Sequence, residues 1–337
     1  MSESMFEISW YIIFVAFVLD FILGDPGWLP HPIIGMGNAI SFFEKKFRRP
    51  KPLNKNQTKN QAKNQARKQV FSGLLFALFL IGFTWLISFC LVKIFTLVHP
   101  LLGFGVQALL LFYCFSAKSL VQAAHEVAIP LEVNDIETAR KKVAMIVGRQ
   151  TKTLDEKGVT RATVETVAEN FVDGFLSPLF FALLFGVPGA LAYKMINTLD
   201  SMVGYRNESY MFFGRASARI DDVANFIPAR ISVVVISFAA FLLSARKGVL
   251  SFKTGISQGN HHKSPNAGYP EAAFAGALEI RMGGPNIYHG KLVEKPYIGQ
   301  EFNDPGIHGI KRSCELMMLS AFISTLAACL LLLVLIN

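Results

Sequence analysis

Long apolar runs separated by polar blocks dominate the sequence. A helix needs about 20 apolar residues to cross the hydrocarbon core of a bilayer. The clearest runs are 71–98, interrupted only by Lys93, and 316–336, which contains no charged residue. Four more runs are shorter or carry polar residues, at 8–23, 102–120, 175–193 and 226–244. The pattern predicts an all-α integral membrane protein, a polytopic helical bundle with five or six spans in one domain over residues 1–337.

The run 175–193 is interrupted at its centre. Gly186, Pro188 and Gly189 lie there, and proline removes a hydrogen bond from the helical ladder. Non-helical backbone at membrane depth has to be buried in protein. A re-entrant hairpin is therefore one interpretation of this run, and a complete span is the other.

The composition agrees with a membrane body. Hydrophobic residues make up 52% of the chain and charged residues 17%, against about a quarter charged in soluble domains. This excludes a disordered chain, a disulfide-stapled module and an ordinary soluble enzyme. The four cysteines show no metal-ligand or CxxC spacing, so we expect all of them to be buried apolar residues: Cys90, Cys114, Cys314 and Cys329.

A basic segment follows the first apolar run. Residues 45–70 contain ten Lys or Arg and no acid, and Lys55, Lys59 and Lys63 each begin a repeat with Asn-Gln. Positive loops stay in the cytoplasm, which puts this linker inside the cell and the N-terminus outside. We interpret it as a solvated linker without catalytic role; if helical, its cations would form a stripe along a lipid surface. The net charge of +9 thus indicates topology and anionic lipid, not nucleic acid.

The first polar block, from His125 to Asp173, is richer than a connector. Asn134-Asp135 is a helix start before an amphipathic helix over 136–147, and a second helix is expected over 159–171. On the second helix Arg161, Glu165 and Glu169 share one face, which Asp173 continues and beside which Asn170 lies. A salt-bridged surface helix would explain the trio alone.

The second block emerges directly from an apolar run. Lys194, Asn197 and Ser201 share a helical face, and Asp200 lies alongside it. Ionisable groups at membrane depth are costly and usually functional. Asp221 and Asp222 follow, and adjacent carboxylates suit Mg²⁺, which takes few protein ligands and leaves the rest to water and phosphates. The neighbouring polar residues are Arg219, Asn225 and Arg230; their arginines suit phosphate oxygens, whereas a solvated turn would explain the two acids alone.

The third block spans Ser264 to Asn286. Pro270 and Glu271 fit the first turn of a helix, and the small residues 272–277 allow close packing. Gly283-Gly284-Pro285 is expected to end this helix. Close packing does not account for Asn266, Glu271 and Arg281. The histidines have no metal-binding spacing and are interpreted as loop residues: His261, His262 and His289.

Three long motifs carry a resemblance to a known family. They are Ala168-Glu-Asn-Phe-Val-Asp-Gly174, the run from Tyr193-Lys194 through Asn197-Thr-Leu-Asp-Ser-Met-Val-Gly-Tyr205, and Asp221-Asp-Val-Ala-Asn-Phe-Ile-Pro-Ala-Arg230. With Gly24-Asp25-Pro26 and His31-Pro32, the chain resembles the cobalamin-biosynthesis CobD/CbiB family of adenosylcobinamide(-phosphate) synthases over most of residues 20–315. It departs from the family at Gln150, where an acid is expected, and at Ser177, where Ala is expected. The departure at Gln150 leaves Arg149 without an assigned catalytic role.

The resemblance implies an ATP-dependent ligase in the cell membrane. Such an enzyme joins a carboxyl group of adenosylcobyric acid to the amine of 1-amino-2-propanol or its O-phosphate, with Mg²⁺ and ATP. The implied partners are the corrinoid, the aminopropanol and membrane lipid, with a homo-oligomer or a complex with other cobalamin-pathway enzymes as further options. We expect the polar blocks to form one site facing the cytoplasm.

Roles follow from the resemblance and from the chemistry of each side chain. The expected catalytic residues are Glu165, Glu169, Lys194, Arg219 and Arg230. The expected magnesium ligands are Asp200, Asp221 and Asp222. The expected substrate-binding residues are Asp25, His31, Asn170, Asp173, Asn197, Tyr210, Asn225, Asn266, Glu271 and Arg281. In this hypothesis Glu169 or Glu165 takes the proton from the attacking ammonium group.

Three other functions remain open at this stage. A distant branch of the same superfamily contains AmpE-like membrane proteins that act in signalling, although a full set of ionisable motif residues argues against a non-catalytic copy. Magnesium-dependent prenyl or phosphatidyl transferases use DxxxD or DGxxAR motifs, which are missing around Asp173 and Asp221. A transporter fits the composition, but the chain shows no clear internal repeat.

Overall fold

The computed structural model describes residues 8–27, 30–48, 59–205, 210–288 and 291–336. Most of this is helical. In chain order the helices are α1 Trp10–Leu23, α2 Pro32–Phe47, α3 Lys59–Val98, α4 Pro100–Phe112, α5 Ala117–Glu132, α6 Ile136–Val143, α7 Glu156–Phe171, α8 Ser177–Val203, α9 Arg215–Ala224, α10 Phe226–Leu243, α11 Ala245–Gln258, α12 Gly268–Leu278 and α13 His308–Ile336. A π-helical turn, Val172–Leu176, joins α7 to α8.

Two short antiparallel strand pairs lie between α12 and α13. Strand β1 (Met282–Gly283) pairs with β4 (Tyr297–Ile298), with Met282 opposite Ile298. Strand β2 (Asn286–Tyr288) pairs with β3 (Lys291–Val293). The fold is therefore essentially all-α, as the sequence predicts.

Membrane-spanning capacity also follows the prediction. Within the described residues, five helical segments are long and apolar enough to cross a bilayer: Lys63–Val98, Pro100–Glu132, Glu156–Val203, Phe226–Leu243 and His308–Leu335. Helix α1 is a shorter apolar helix. The predicted run 102–120 is divided between α4 and α5. The break is stabilised by a distant contact, because the backbone N–H of Ser116 donates to the carbonyl of Gly174 at 3.0 Å.

Helix α8 reverses direction where the sequence is rich in glycine and proline. Phe185 and Gly186 leave helical geometry, and Gly186 has φ +67°, which glycine adopts without strain. The rings of Phe181 and Tyr193 stack with their centroids 5.1 Å apart, although twelve helical residues would separate them by about 18 Å. The chain thus folds back at this point, as the hairpin interpretation expects.

The chain divides into two compact units. The first contains the described residues of Met1–Ile12, Pro26–Cys114 and Pro178–Ala224. In it α3 packs against α2, α4 and α9. The close approach requires Gly73, because a Cβ there would lie 1.9 Å from the carbonyl oxygen of Phe213.

The second unit contains the described residues of Ile13–Asp25, Phe115–Ser177 and Asn225–Asn337. Helix α12 is buried between α10, α11 and α7, as the small-residue run predicts. A Cβ at Gly276 would lie 2.5 Å from the carbonyl oxygen of Leu250, so this crossing depends on glycine. The unit thereby fixes the first turn of α12 against α7.

Residues 59–70 of the expected linker continue α3 as a helix, an alternative that the sequence left open, whereas 49–58 and His289 lie outside the described residues. Three local expectations are wrong. Cys90 is exposed on α3, because the protein does not surround this helix. Helix α12 ends at Glu279, which adopts the left-handed conformation, four residues before Gly283. Helix α6 also ends earlier than expected, at Val143.

Candidate functional site

Glu165 of α7 is a buried carboxylate with both oxygens occupied. Its Oε2 accepts a hydrogen bond from Nη2 of Arg149 at 2.5 Å, and its Oε1 accepts one from the backbone N–H of Gly283 at 2.7 Å. Gly283 has φ +74°, a conformation that favours glycine. The predicted helix terminator is therefore a hydrogen-bond donor to the predicted catalytic acid.

Glu271 lies in the first turn of α12 and is only 4% exposed. Among the described residues its carboxylate accepts no hydrogen bond, and Nε2 of His262 lies 3.9 Å from its Oε1. Burial raises the pKa of Glu271 well above its usual range, and repulsion from Glu165 and Glu169 adds to the effect. This carboxyl group consequently binds a proton far more readily than an exposed one.

His262 links Glu271 to a cation. Its Nδ1 accepts the backbone N–H of Ser264 at 3.0 Å, so the proton of the neutral ring lies on Nε2. Nζ of Lys295 is 3.3 Å from that Nε2. Burial, followed by the nearby Lys295, lowers the pKa of His262 to about 4. The ring is therefore neutral at physiological pH, and this loop histidine belongs to a charged interior.

These residues form what we call the carboxylate cluster: Glu165, Glu169, Glu271, Arg149, His262 and Lys295. Glu169 is on the exposed side of α7 yet within electrostatic range of Glu271. The cluster contains three acidic side chains and two basic ones, Arg149 and Lys295. Such an arrangement can attract a cationic group and accept a proton from it.

Arg230 contacts residues at the start of α12, and Asn225 contacts the first residue of α8. Nη1 of Arg230 donates to Oδ1 of Asn266 at 3.0 Å, and its guanidinium carbon lies 4.2 Å from the centre of the Tyr269 ring. Ser177 donates to Oδ1 of Asn225 at 2.6 Å. The contacts of Arg230 hold the start of α12 against α10, and its catalytic role stays a prediction.

Arg281 belongs to a structural ion cluster. Asp304 Oδ1 accepts hydrogen bonds from Nη2 of Arg161 at 2.6 Å and from Nη2 of Arg281 at 2.8 Å. The bonded Arg281, followed by Arg161, keeps the pKa of Asp304 below its usual range. The cluster fastens the segment after α12 to α7, so these arginines position the neighbouring Gly283.

The first unit holds a separate set of predicted residues. Lys194 of α8 is 7% exposed, and its Nζ donates to the carbonyl of Cys114 at 3.3 Å. Asp200 is within electrostatic range of Asp222. Nη1 of Arg219 lies 3.9 Å from Oδ2 of Asp222, with the arginine side chain 70% exposed. Asp200, Asp222 and the exposed Arg219 thus belong to one charged region. Asp221 directly precedes Asp222 on α9.

Gly204 packs so closely against Asp200 that a side chain at position 204 would displace the aspartate. A Cβ at Gly204 would lie 2.0 Å from Oδ1 and 2.6 Å from the carbonyl oxygen of Asp200. No group of three His, Cys, Asp or Glu side chains that could hold a metal ion occurs within the described residues. Mg²⁺ commonly takes only one or two protein carboxylates and completes its shell with phosphate and water. Asp200 and Asp222 fit that smaller requirement.

The remaining predicted substrate residues have local partners. Nδ1 of His31 accepts the N–H of Ile33 and caps α2. Tyr210 donates to Oε1 of Glu44 at 2.9 Å, and Nδ2 of Asn170 donates to the carbonyl of Thr166 at 3.0 Å. The backbone of Asp25 donates to Ser119. Asp173 lies in the π-helical turn and Asn197 lies on α8.

Sequence reasoning missed three members of the carboxylate cluster. Arg149 has no assigned role in the sequence analysis because of the departure at Gln150. Lys295 lies between two very short strands and has no periodic signal. His262 was interpreted as a loop residue, since metal spacing was the only histidine pattern considered.

Comparison with known proteins identifies the family. The family model described as CobD/Cbib protein matches residues 13–317. The chain belongs to the CobD/CbiB family.

Relatives of this CobD/CbiB chain are similar over nearly their whole length. It is 42% identical to the cobalamin biosynthesis protein CobD of Klebsiella pneumoniae over 307 residues, which are 91% of this chain and 92% of the relative. It is 41% identical to the cobalamin biosynthesis protein CbiB of Salmonella typhimurium over 317 residues, 94% of each chain. No solved structure matches the chain. Family membership assigns this multi-pass membrane protein to cobalamin biosynthesis.

Proposed function

We propose that the chain is an ATP-dependent ligase that forms the amide between adenosylcobyric acid and 1-amino-2-propanol or its O-phosphate. Family membership and the cobalamin-biosynthesis names of the relatives support the pathway. The observation that carries the reaction type is Glu271, a buried carboxyl group to which no described residue donates a hydrogen bond, inside a cluster of acids and cations. This group is suited to accept a proton from an amine.

Amide formation from a carboxylate requires activation. An oxygen of the corrinoid carboxylate attacks the γ-phosphorus of ATP, ADP leaves, and an acyl phosphate forms. The amine nitrogen then attacks the acyl carbon and inorganic phosphate leaves. The amine arrives as an ammonium ion, so it loses one proton before attack and a second one as the amide forms.

The charged region of the first unit suits the phosphate half of this reaction. Asp200 and Asp222 would hold Mg²⁺, which neutralises phosphate charge when bound. Arg219 is exposed and only loosely paired with Asp222 at 3.9 Å, so its guanidinium can turn to phosphate oxygens. Lys194 is buried and adds a fixed positive charge. Such cations stabilise charge on a transferring phosphoryl group.

The carboxylate cluster suits the amine half. Arg149 and the backbone of Gly283 donate hydrogen bonds to both oxygens of Glu165. Within the described part of the chain, Glu271 has no such donors. We therefore assign proton acceptance to Glu271 instead of the predicted Glu165 or Glu169, with Glu165 as a fixed anion that attracts the ammonium group.

The test is product analysis with purified, detergent-solubilised full-length protein. It receives adenosylcobyric acid, Mg-ATP and either aminopropanol or its phosphate, and mass spectrometry detects the amide, ADP and phosphate in equal amounts. Glu271→Gln should lower kcat by about 10²–10⁴-fold, the usual contribution of a general base. Glu279→Gln, at the other end of α12 and paired with exposed Arg246, is the matched control and should keep activity.

The outcomes separate the proposals. Absence of amide with wild-type protein and both amines contradicts the ligase function and favours an AmpE-like signalling role. Amide formation with full activity in Glu271→Gln keeps the ligase function and contradicts the assigned base. The amine that gives the higher kcat/KM, either aminopropanol or its phosphate, is identified as the natural substrate.

A further inference from the structure

A cavity lined by cations and amides lies in the first unit, outside both sets of residues described above. It has a volume of about 720 Å³, is partly open, and lies between the end of α2 and the first turns of α3. Three cations line it: Lys46, Arg48 and Lys68. Amide side chains of α3 supply further donors, and Phe47 and Phe213 form an apolar part of the wall. Its described lining contains no acid.

The three cations differ in whether an acidic side chain lies within ion-pair distance. Nη1 of Arg48 is 2.7 Å from Oε1 of Glu44, and its guanidinium carbon lies 4.5 Å from the centre of the Tyr210 ring. Lys46 and Lys68 have no carboxylate within ion-pair distance among the described residues. Among the described residues, the cavity therefore has one guanidinium that is paired with an acid and two ammonium groups that are not. Nζ of Lys46 also lies 4.4 Å from the centre of the Phe42 ring. The excess of positive charge favours an anion.

The position of the cavity on α3 indicates the surroundings of that anion. No charged residue occurs between Lys68 and Lys93, so Lys68 is the last cation before the membrane-spanning part of the helix. Ser72, one turn further on, also lines the cavity. The cavity thus lies where α3 enters the bilayer, at the level of lipid headgroups.

The volume of the cavity limits the kinds of anion that could fill it. A volume of about 720 Å³ is in the range of small-molecule sites, about 300–1,000 Å³, and far exceeds the space that one inorganic ion needs. Gln61, Asn64 and Gln65 of the lining can donate to hydroxyl and ester oxygens. A phosphate group with a polar organic substituent fits this combination of charge, amides and volume.

We propose that this cavity binds a phosphate ester at the membrane surface, held by Lys46, Arg48 and Lys68. The phosphate belongs either to an anionic phospholipid headgroup or to a water-soluble organic phosphate. This site is separate from the residues assigned to ligation and does not depend on that function.

The experiment compares two charge-matched variants of the full-length protein. Lys46→Gln/Lys68→Gln removes two cations from the cavity. Lys63→Gln/Arg67→Gln removes two from the same basic stretch, and neither of these residues lines the cavity. One arm titrates phosphatidylglycerol into detergent-solubilised protein and counts bound lipid by native mass spectrometry. The other arm measures stabilisation by glycerol 3-phosphate in a thermal shift assay.

The cavity variant should bind about tenfold more weakly in at least one arm, whereas the control should change less than twofold, since direct contacts exceed diffuse surface attraction. An effect in the lipid arm identifies a headgroup, and an effect in the soluble arm identifies a free phosphate ester. Equal losses in both variants mean that only general surface charge acts and overturn the proposal. Unchanged binding by the cavity variant, or no binding by the wild type, overturns it as well.

Discussion

Arg149 and Glu165 show how a buried ion pair supports the proposed site. Both side chains are about nine-tenths buried, so removal of one partner leaves the other charge without compensation. Arg149→Ala should lower the free energy of unfolding by about 3–5 kcal/mol, measured as a loss of thermal stability in detergent. Lys142→Ala breaks the exposed pair with Glu126 and should cost less than about 1 kcal/mol. Similar losses in both variants would contradict a buried, uncompensated charge.

Glu271 should make stability depend on pH in a defined direction. Its pKa in the folded protein is raised above the value of about 4.3 for an exposed glutamate. The folded state therefore binds more protons, and stability falls as the pH rises through the raised pKa. Glu271→Gln does not titrate, so its melting temperature relative to the wild type should increase as the pH rises from about 4.3 through the raised pKa of Glu271.

Above about pH 7, His262 does not contribute to this change. The pKa of His262 is lowered to about 4, so the ring is neutral in the folded and unfolded chain above about pH 7. Glu279→Gln is again the control and should show a constant difference from the wild type. A constant difference for Glu271→Gln too would mean that this carboxyl group is not forced towards its neutral form.

Among individual residues, the sequence singled out the acids of the carboxylate cluster but not the groups that contact them. Glu165 and Glu271 were found because helical spacing and the first turn of α12 single them out. Lys295 and Gly283 reach them from a segment of two- and three-residue strands, where no periodicity predicts direction. The hydrogen-bond donors to Glu165 come from distant parts of the chain, so the sequence could not show that both of its oxygens are occupied.

Among the helices, α3 depends most clearly on a small residue. A Cβ at Gly73 would lie 1.9 Å from the carbonyl oxygen of Phe213, whereas one at Gly82 would meet nothing within 4 Å. Gly73→Ala should therefore lower the melting temperature by several degrees despite the better helix propensity of alanine. Gly82→Ala should leave it unchanged or raise it. Equal behaviour of the two variants would show that α3 does not approach this segment closely.

The helices also show where sequence patterns stop being informative. The fold-back of α8 was predictable, since Gly186 and Pro188 interrupt an apolar run. The break between α4 and α5 was not, because it depends on the hydrogen bond between Ser116 and Gly174, 58 residues apart. Local composition cannot report a contact of that range.

For the whole molecule, the sequence predicted the helical membrane architecture that the structure confirms. That all polar blocks form one site on the cytoplasmic face stays a prediction, as does the sidedness of the basic segment. Reporter fusions should place residues 45–70 in the cytoplasm and the N-terminus outside. Green fluorescent protein inserted after Lys63 should fluoresce, and alkaline phosphatase at the same position should be inactive. Active phosphatase there would reverse the orientation.

The uncharged part of α3 has a consequence for the choice of membrane. Residues 69–92 contain no charge, and 24 helical residues extend about 36 Å, several ångströms more than a typical hydrocarbon core of about 30 Å. In such a bilayer the helix has to tilt by roughly 30° or thicken the lipid around it. Reconstitution into lipids of increasing acyl-chain length should therefore relieve this hydrophobic mismatch, and the protein should be most heat-resistant in the thicker bilayers.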